Sequence, residues 1–175
     1  MTRRVVYIVA TTLAASLMRA QSAQEYALKA AVIYNITKFV EWPQDAFNGR
    51  LDPLHVCVLG ENPFGDALVQ AFSGKVHDGR SFTVRNLRDM NSAGGCQVLF
   101  VSASEQKRFR SILEEASSHS TLTIGDSDGF TAAGGIVNLK LEEQKIRLQI
   151  NLAAAERGRI RISSRLLSLA EVVGK

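Results

Sequence analysis

Two short runs of consecutive apolar residues, Val56-Cys57-Val58-Leu59 and Val98-Leu99-Phe100-Val101, constrain this chain more than any other feature of it. A strand with one wet face alternates apolar and polar side chains, so a continuous run predicts a strand covered on both faces. Residues 81–87 and 121–125 read as further strands. Between the strands lie segments of helical length. Asn62 suits an N-cap and Pro63 a first helical position, predicting a helix over 63–72, and Ser104 can cap another over 105–116. Strands alternating with helices predict an α/β fold whose mostly parallel central sheet carries helices on both faces.

The flanks read differently. Residues 25–42 place Leu28, Val32, Ile36, Phe39 and Val40 at helical spacing, with Lys29, Lys38 and Glu41 off that stripe, and Pro43 ends the helix. Residues 43–53 form a polar surface loop. Toward the C-terminus, 136–141 and 145–152 alternate strictly and predict an antiparallel hairpin turning at 142–144. Residues 159–162 alternate again. Ser164 can cap a last helix carrying Leu166, Leu167, Leu169, Ala170 and Val173, in which Leu166 and Leu169 suit a core.

The formal charge of +4 invites a nucleic-acid partner until the charges are located. Residues 1–4 are short and basic, 5–18 are apolar, and 20–23 are small and polar, the pattern of a secretory signal peptide. The apolar run is shorter than the roughly 20 residues of a membrane span. Cleavage within 22–23 removes Arg3, Arg4 and Arg19 and leaves 18 bases against 17 acids, so the basic footprint of a nucleic-acid binder disappears. What remains, 24–175, is expected to be one exported domain. At 46% apolar and 22% charged residues the full chain has the composition of a globular protein. In an oxidising compartment the pair Cys57 and Cys96 is expected as a disulfide, worth roughly 3 to 4 kcal/mol by chain entropy. No C-x-x-C redox motif is present.

Catalytic and metal motifs are sparse. Gly60 and Gly65 flank a strand-to-helix turn, but neither a GxGxxG pattern nor a Walker lysine accompanies them. Asp126-Ser127-Asp128-Gly129 is half a calcium loop without the bidentate glutamate, and reads as a tight turn. His55 and Cys57 share a strand face at an acceptable ligand spacing, yet a bridged cysteine cannot ligate, and His77 and His119 sit in unrelated loops. No metal or cofactor is expected, and HExxH is absent. An open parallel sheet binds ligands beyond its carboxyl ends, so Glu61, Asn62, Ser102 and Asp126, with Ser104 and Asp128, are candidates for lining one small-molecule crevice.

Taken together and in order, KAAVIYNITKFVEWP, HVCVLGENPFG, CQVLFVS, the GF, TAAGG and IVNL pieces, and ISSRLLSLA resemble the YfiR-like family of periplasmic proteins. The resemblance runs from about Lys29 to Ala170. It implies a non-enzymatic periplasmic repressor that binds the periplasmic domain of an inner-membrane diguanylate cyclase and keeps cyclic-di-GMP output low. In some systems of the family an outer-membrane lipoprotein sequesters the repressor, and homodimers are implied. Cys57 and Cys96 match the family's redox-sensitive cysteine pair. Some relatives carry a second pair where this chain has Thr131 and Asn138, leaving one bridge here. The partner surface is expected at Gln149, Leu152, Arg157, Leu166 and Leu167. A periplasmic small-molecule sensor is the competing expectation.

Overall fold

The computed structural model describes residues 2–174, with side chains from Ala20 onward. Most of the signal peptide expected over 1–23 therefore lies outside the described side chains. The elements are α1 (Thr2–Thr37), β1 (Val40–Glu41), β2 (Leu54–Leu59), α2 (Ala67–Phe72), β3 (Val76–His77), β4 (Arg80–Leu87), β5 (Cys96–Val101), α3 (Phe109–Ser117), β6 (Leu122–Gly125), β7 (Val137–Glu142), β8 (Lys145–Asn151), α4 (Leu152–Arg157), β9 (Arg161–Ile162), α5 (Ser164–Leu167) and β10 (Ala170–Val173). Eight strands form one sheet in the order β10-β8-β7-β6-β5-β2-β4-β3. All neighbours run parallel except the β7–β8 hairpin and the β3–β4 edge pair. A mostly parallel α/β sheet with an antiparallel hairpin toward the C-terminus is what the pattern of runs predicts.

Both faces of the central strands are covered. Leu54, Val56 and Val58 of β2 point into one core with Ile33 and Ile36 of α1 and Leu68 and Phe72 of α2. Cys57 and Leu59 point into a second core with Phe109, Ile112 and Leu113 of α3. Period-two alternation splits one continuous apolar run between two layers. The antiparallel β1–β9 pair then ties the end of α1 to the C-terminal region.

Several local expectations are corrected. The helix expected to Trp42 ends at Thr37, and Val40–Glu41 turns into a strand. Its inward stripe is Lys29, Ala30, Ile33, Ile36 and Thr37, whereas Leu28 is exposed. Lys29 could not be placed there from hydropathy, because its buried charge is tolerated only with Asp126, on a distant loop, completing the pair it makes with Glu25. α2 starts at Ala67 and not at Pro63: Asn62 Oδ1 accepts from the Phe64 N–H, and Gly65 takes φ +54°, which no helix allows. Residues Ala103–Arg108 form a 3-10 turn whose cap is Ser102, not Ser104. The last helix stops at Leu167, and Ala170–Val173 becomes a strand parallel to β8. Pairing there satisfies the outer edge of β8, which a helix could not do. The hairpin turn falls where expected, with Glu143 and Gln144 both at positive φ, the backbone of a type I′ turn.

The glycines of the GF and GG segment have a packing reason. Phe130 is fully buried, and Cβ atoms added at Gly125 or Gly135 would lie 2.5 Å and 2.2 Å from its ring. The two glycines form the walls of the slot that holds the ring, which meets Phe109 of α3 edge-on at 5.2 Å. Gly135→Ala should therefore destabilise the fold by about 1 to 3 kcal/mol in urea unfolding through overpacking. An unchanged midpoint would contradict the slot.

Candidate functional site

Two polar regions lie at opposite ends of the parallel strands. At the carboxyl end, most of the residues expected to line a crevice are engaged with one another. Ser102 N–H donates to Leu59 O at 3.0 Å, and Glu61 N–H donates to Ser104 Oγ at 3.0 Å. Gly60, at φ +89°, lets the chain pass so close that an added Cβ would fall 2.4 Å from Ser104 Oγ. Asn62 spends its side chain on the turn at Phe64 and Gly65. Asp126 lies apart from these, beyond the end of β6.

Asp126 is instead the acceptor of a buried network with α1. Lys29 Nζ lies 2.7 Å from Asp126 Oδ2 and 2.5 Å from Glu25 Oε1, with the Lys29 and Asp126 side chains 4% and 5% exposed. Tyr26 Oη donates to Asp126 Oδ2 at 2.9 Å. Burial, with the carboxylate beside it, holds the Tyr26 phenol well above the usual tyrosine range. The Glu25 and Lys29 spacing of four residues is visible in sequence as a helix pair, but its third member is 97 residues away. Asp126 is thus occupied as a structural counter-ion, and the following turn closes through Phe130 N–H to Ser127 O.

At the amino end of the strands the structure opens a cavity of about 450 Å³. One wall is the α3 side of the sheet. The β2–β4 register sets His55 beside Thr83 and Cys57 beside Arg85, so all four side chains share that face. The Cys57–Cys96 bridge, with Cα atoms 6.0 Å apart, joins β2 to β5. Arg85 lies over it, its Nη2 3.4 Å from Cys96 Sγ and 3.7 Å from Cys57 Sγ. The β2–β5 register shifts after His55, which leaves Gln97 without an opposite residue. Such a bulge re-aims a side chain. Gln97 Oε1 accepts from the His55 N–H at 2.8 Å, and its Nε2 donates to Ala46 O at 2.7 Å. Arg80 Nη1 donates to Gly49 O and Asp52 O and stacks on Phe47, 3.8 Å from the ring centre. The loop expected over 43–53 is in this way fastened as a roof. His119 and Arg159 line the far side, and Arg159 Nη2 lies 2.7 Å from Asp45 Oδ1.

His55 contacts Thr83 Oγ1 through Nδ1. Burial, and then the Arg85 charge, push its pKa below the ordinary value of 6.5, against a smaller upward pull from Asp52. Among the described residues no three His, Cys, Asp or Glu side chains gather into a metal-holding group. Sequence reasoning missed this cavity, because Arg85 and Gln97 read as ordinary members of strands. The available signal was Gln97, a polar side chain in a strand otherwise apolar and buried on both faces.

The residues expected to meet a partner gather near the β8 end of the sheet but differ in exposure. Gln149 is half-buried, its Oε1 accepting from Thr131 at 2.5 Å and its Nε2 donating to Glu171 at 3.0 Å. Leu152 and Leu167 are half-buried and Arg157 is exposed. Leu166 is 3% exposed and packs in the core, whereas Leu169, also suited to a core in sequence, is 71% exposed.

Two outcomes are expected. Lys29→Met leaves Asp126 buried without its cation and should cost about 3 to 5 kcal/mol in urea unfolding, most of it restored when Asp126→Leu is added; a cost near zero would contradict the network. In an NMR titration His55 should protonate below 6.5, and Arg85→Gln should raise its midpoint. Folding holds this ring neutral, so the unfolded chain binds the extra proton. The stability this ring contributes is complete above 6.5 and declines as the pH falls from there to the ring's own lower midpoint.

The sequence pattern of the YfiR/HmsC-like family matches residues 26–171. No curated protein sequence matches the chain. Among solved structures, a conserved domain protein of Vibrio cholerae O1 biovar eltor superposes with a TM-score of 0.56 at 12% identity, over 84% of this chain and 59% of that one. The ABC domain from Streptococcus pneumonia, solved in complex with L-Trp, gives a TM-score of 0.49 at 12% identity, over 69% and 55% of the two chains. This chain thus spans less than two thirds of the length of either. At such identity the Vibrio cholerae likeness speaks for the fold alone. No helix among the described residues is long and apolar enough to cross a membrane. Since the match takes in both cysteines, the Phe130 slot and every strand from β1 to β9, the chain belongs to the YfiR/HmsC-like family of periplasmic regulatory proteins.

Proposed function

We propose that this protein is exported, loses its signal peptide, and represses an inner-membrane diguanylate cyclase by binding that enzyme's periplasmic domain. The observation that carries the reading is the family match over nearly the whole of the expected mature chain. A repressor of this kind needs no catalytic group. It needs a surface that binds the cyclase's inactive conformation better than its active one, because differential affinity alone shifts the population. A hundredfold preference corresponds to about 2.7 kcal/mol.

The surface assigned to this contact is the β8 end of the sheet with α4 and α5. Arg157, Leu152 and Leu167 supply a cation beside apolar area, a composition suited to an interface. Leu166 supports that surface from beneath. Leu169, exposed between α5 and β10, joins it. Release by an outer-membrane lipoprotein and homodimerisation belong to the same reading. A second reading, a periplasmic small-molecule sensor, is favoured by the roofed cavity, with Glu61, Asn62, Ser102 and Asp126 as the sequence-based alternative location.

Deleting the gene should raise cellular cyclic-di-GMP, and the wild-type gene should restore it. Complementation with Leu169→Asp, an exposed position whose change leaves the core intact, should fail while the protein accumulates to normal levels. Unchanged cyclic-di-GMP in the deletion strain, with no membrane cyclase co-purifying, would overturn the repressor reading.

A further inference from the structure

Arg85 is a cation with an incomplete set of partners. Its Nη2 contacts the two bridge sulfurs and lies 3.5 Å from Gly94 O, contacts that carry no negative charge to match it. No carboxylate of the described residues lies within ion-pair distance of it. Nε is buried without a hydrogen-bond partner. Nη1 also has no partner among the described residues but is not sealed off, and Arg85 lines the 450 Å³ cavity. A guanidinium fixed on one side by a disulfide and open on the other is a preorganised half of a hydrogen-bonded ion pair.

The walls narrow the choice of occupant. Arg159 is already paired with Asp45, so it adds little net charge. Asp52 lies on the same lining as His55 and disfavours a second negative group on the ligand. Phe47, Pro53 and the rings of His55 and His119 provide apolar or flat surface. The volume falls within the range of small-molecule sites, and the roof is fastened by Gln97 and Arg80 without any ligand. Preformed walls lower the ordering cost of binding.

We propose that this cavity binds a small organic monocarboxylate with an apolar or aromatic body, its carboxylate on Nη1 of Arg85 and its body against Phe47 and the two histidine rings. The inference deepens the sensor reading and moves its site from the carboxyl to the amino ends of the strands. It does not depend on cyclase repression, and either can fail alone. Occupancy places an anion beside Arg85, the one cation among the described residues that touches the Cys57–Cys96 bridge, so the ligand acts on the electrostatics of that bridge.

Benzoate is the probe, with neutral benzamide as its near-isosteric control and citrate as the polyanion, titrated into the full mature chain and followed by NMR and calorimetry. Benzoate should give saturable shifts at the His55 and His119 ring protons. Benzamide and citrate should each bind at least about tenfold more weakly. Arg85→Gln should weaken benzoate by about tenfold or more, and Arg85→Lys, which keeps the charge without the planar fork, by less. If Arg85→Gln fails to fold, the Arg85→Lys weakening and the benzamide comparison still decide. Absence of saturable benzoate binding up to tens of millimolar would overturn the proposal. So would equal affinity for benzamide, or binding indifferent to both Arg85 substitutions.

Discussion

Burial of β2 and β5 on both faces is the constraint on which the rest of the structure depends. A strand covered on one side can tolerate a polar residue at every second position, but these two cannot, and their runs leave water no access along most of their length. α1 and α2 must therefore cover one face and α3 the other. The parallel connections follow, because only a crossover returns the chain to the same end of the sheet. The exceptions at the amino end are what make this protein distinctive. His55 and Gln97 interrupt the runs there, the ladder bulges, and the layer that would otherwise close over the strands is replaced by a loop pinned from below.

The two ends of the sheet solve the problem of buried charge differently. At the carboxyl end Lys29, Asp126, Glu25 and Tyr26 satisfy one another, and the result fixes α1 around residues 25–29 against the end of the sheet. This arrangement gives a registry, since a helix displaced by one turn would carry Lys29 away from Asp126 and leave that carboxylate unpaired in a dry environment. At the amino end Arg85 is left with sulfur and a carbonyl for company. A closed network serves architecture, whereas an open one invites something from outside. That contrast, more than the size of the cavity, separates structural from functional polarity here.

Much of the fold was legible in the sequence. The parallel strands and hairpin were expected, and the bridge joins the two cysteines expected to pair. What sequence could not supply were choices made by distant partners. Hydropathy places Leu28 inward and Lys29 outward, while the structure reverses them because Asp126 waits on another element. Local propensity favours a helix over Leu166 to Val173, yet the unpaired edge of β8 draws the last four of those residues into a ladder. The cavity was equally hidden, since it arises from a one-residue register shift and from side-chain reach across the sheet. Neither leaves a periodic trace.

A regulator that acts by attachment should be readable with purified components. The most direct measurement is the rate of cyclic-di-GMP synthesis by the proposed partner cyclase reconstituted in vesicles with its periplasmic domain facing outward and GTP trapped within, as the mature chain is added outside. The account predicts a saturable fall in turnover that follows complex formation. Complex formation with turnover unchanged, or full activity with no complex at saturating protein, would contradict it.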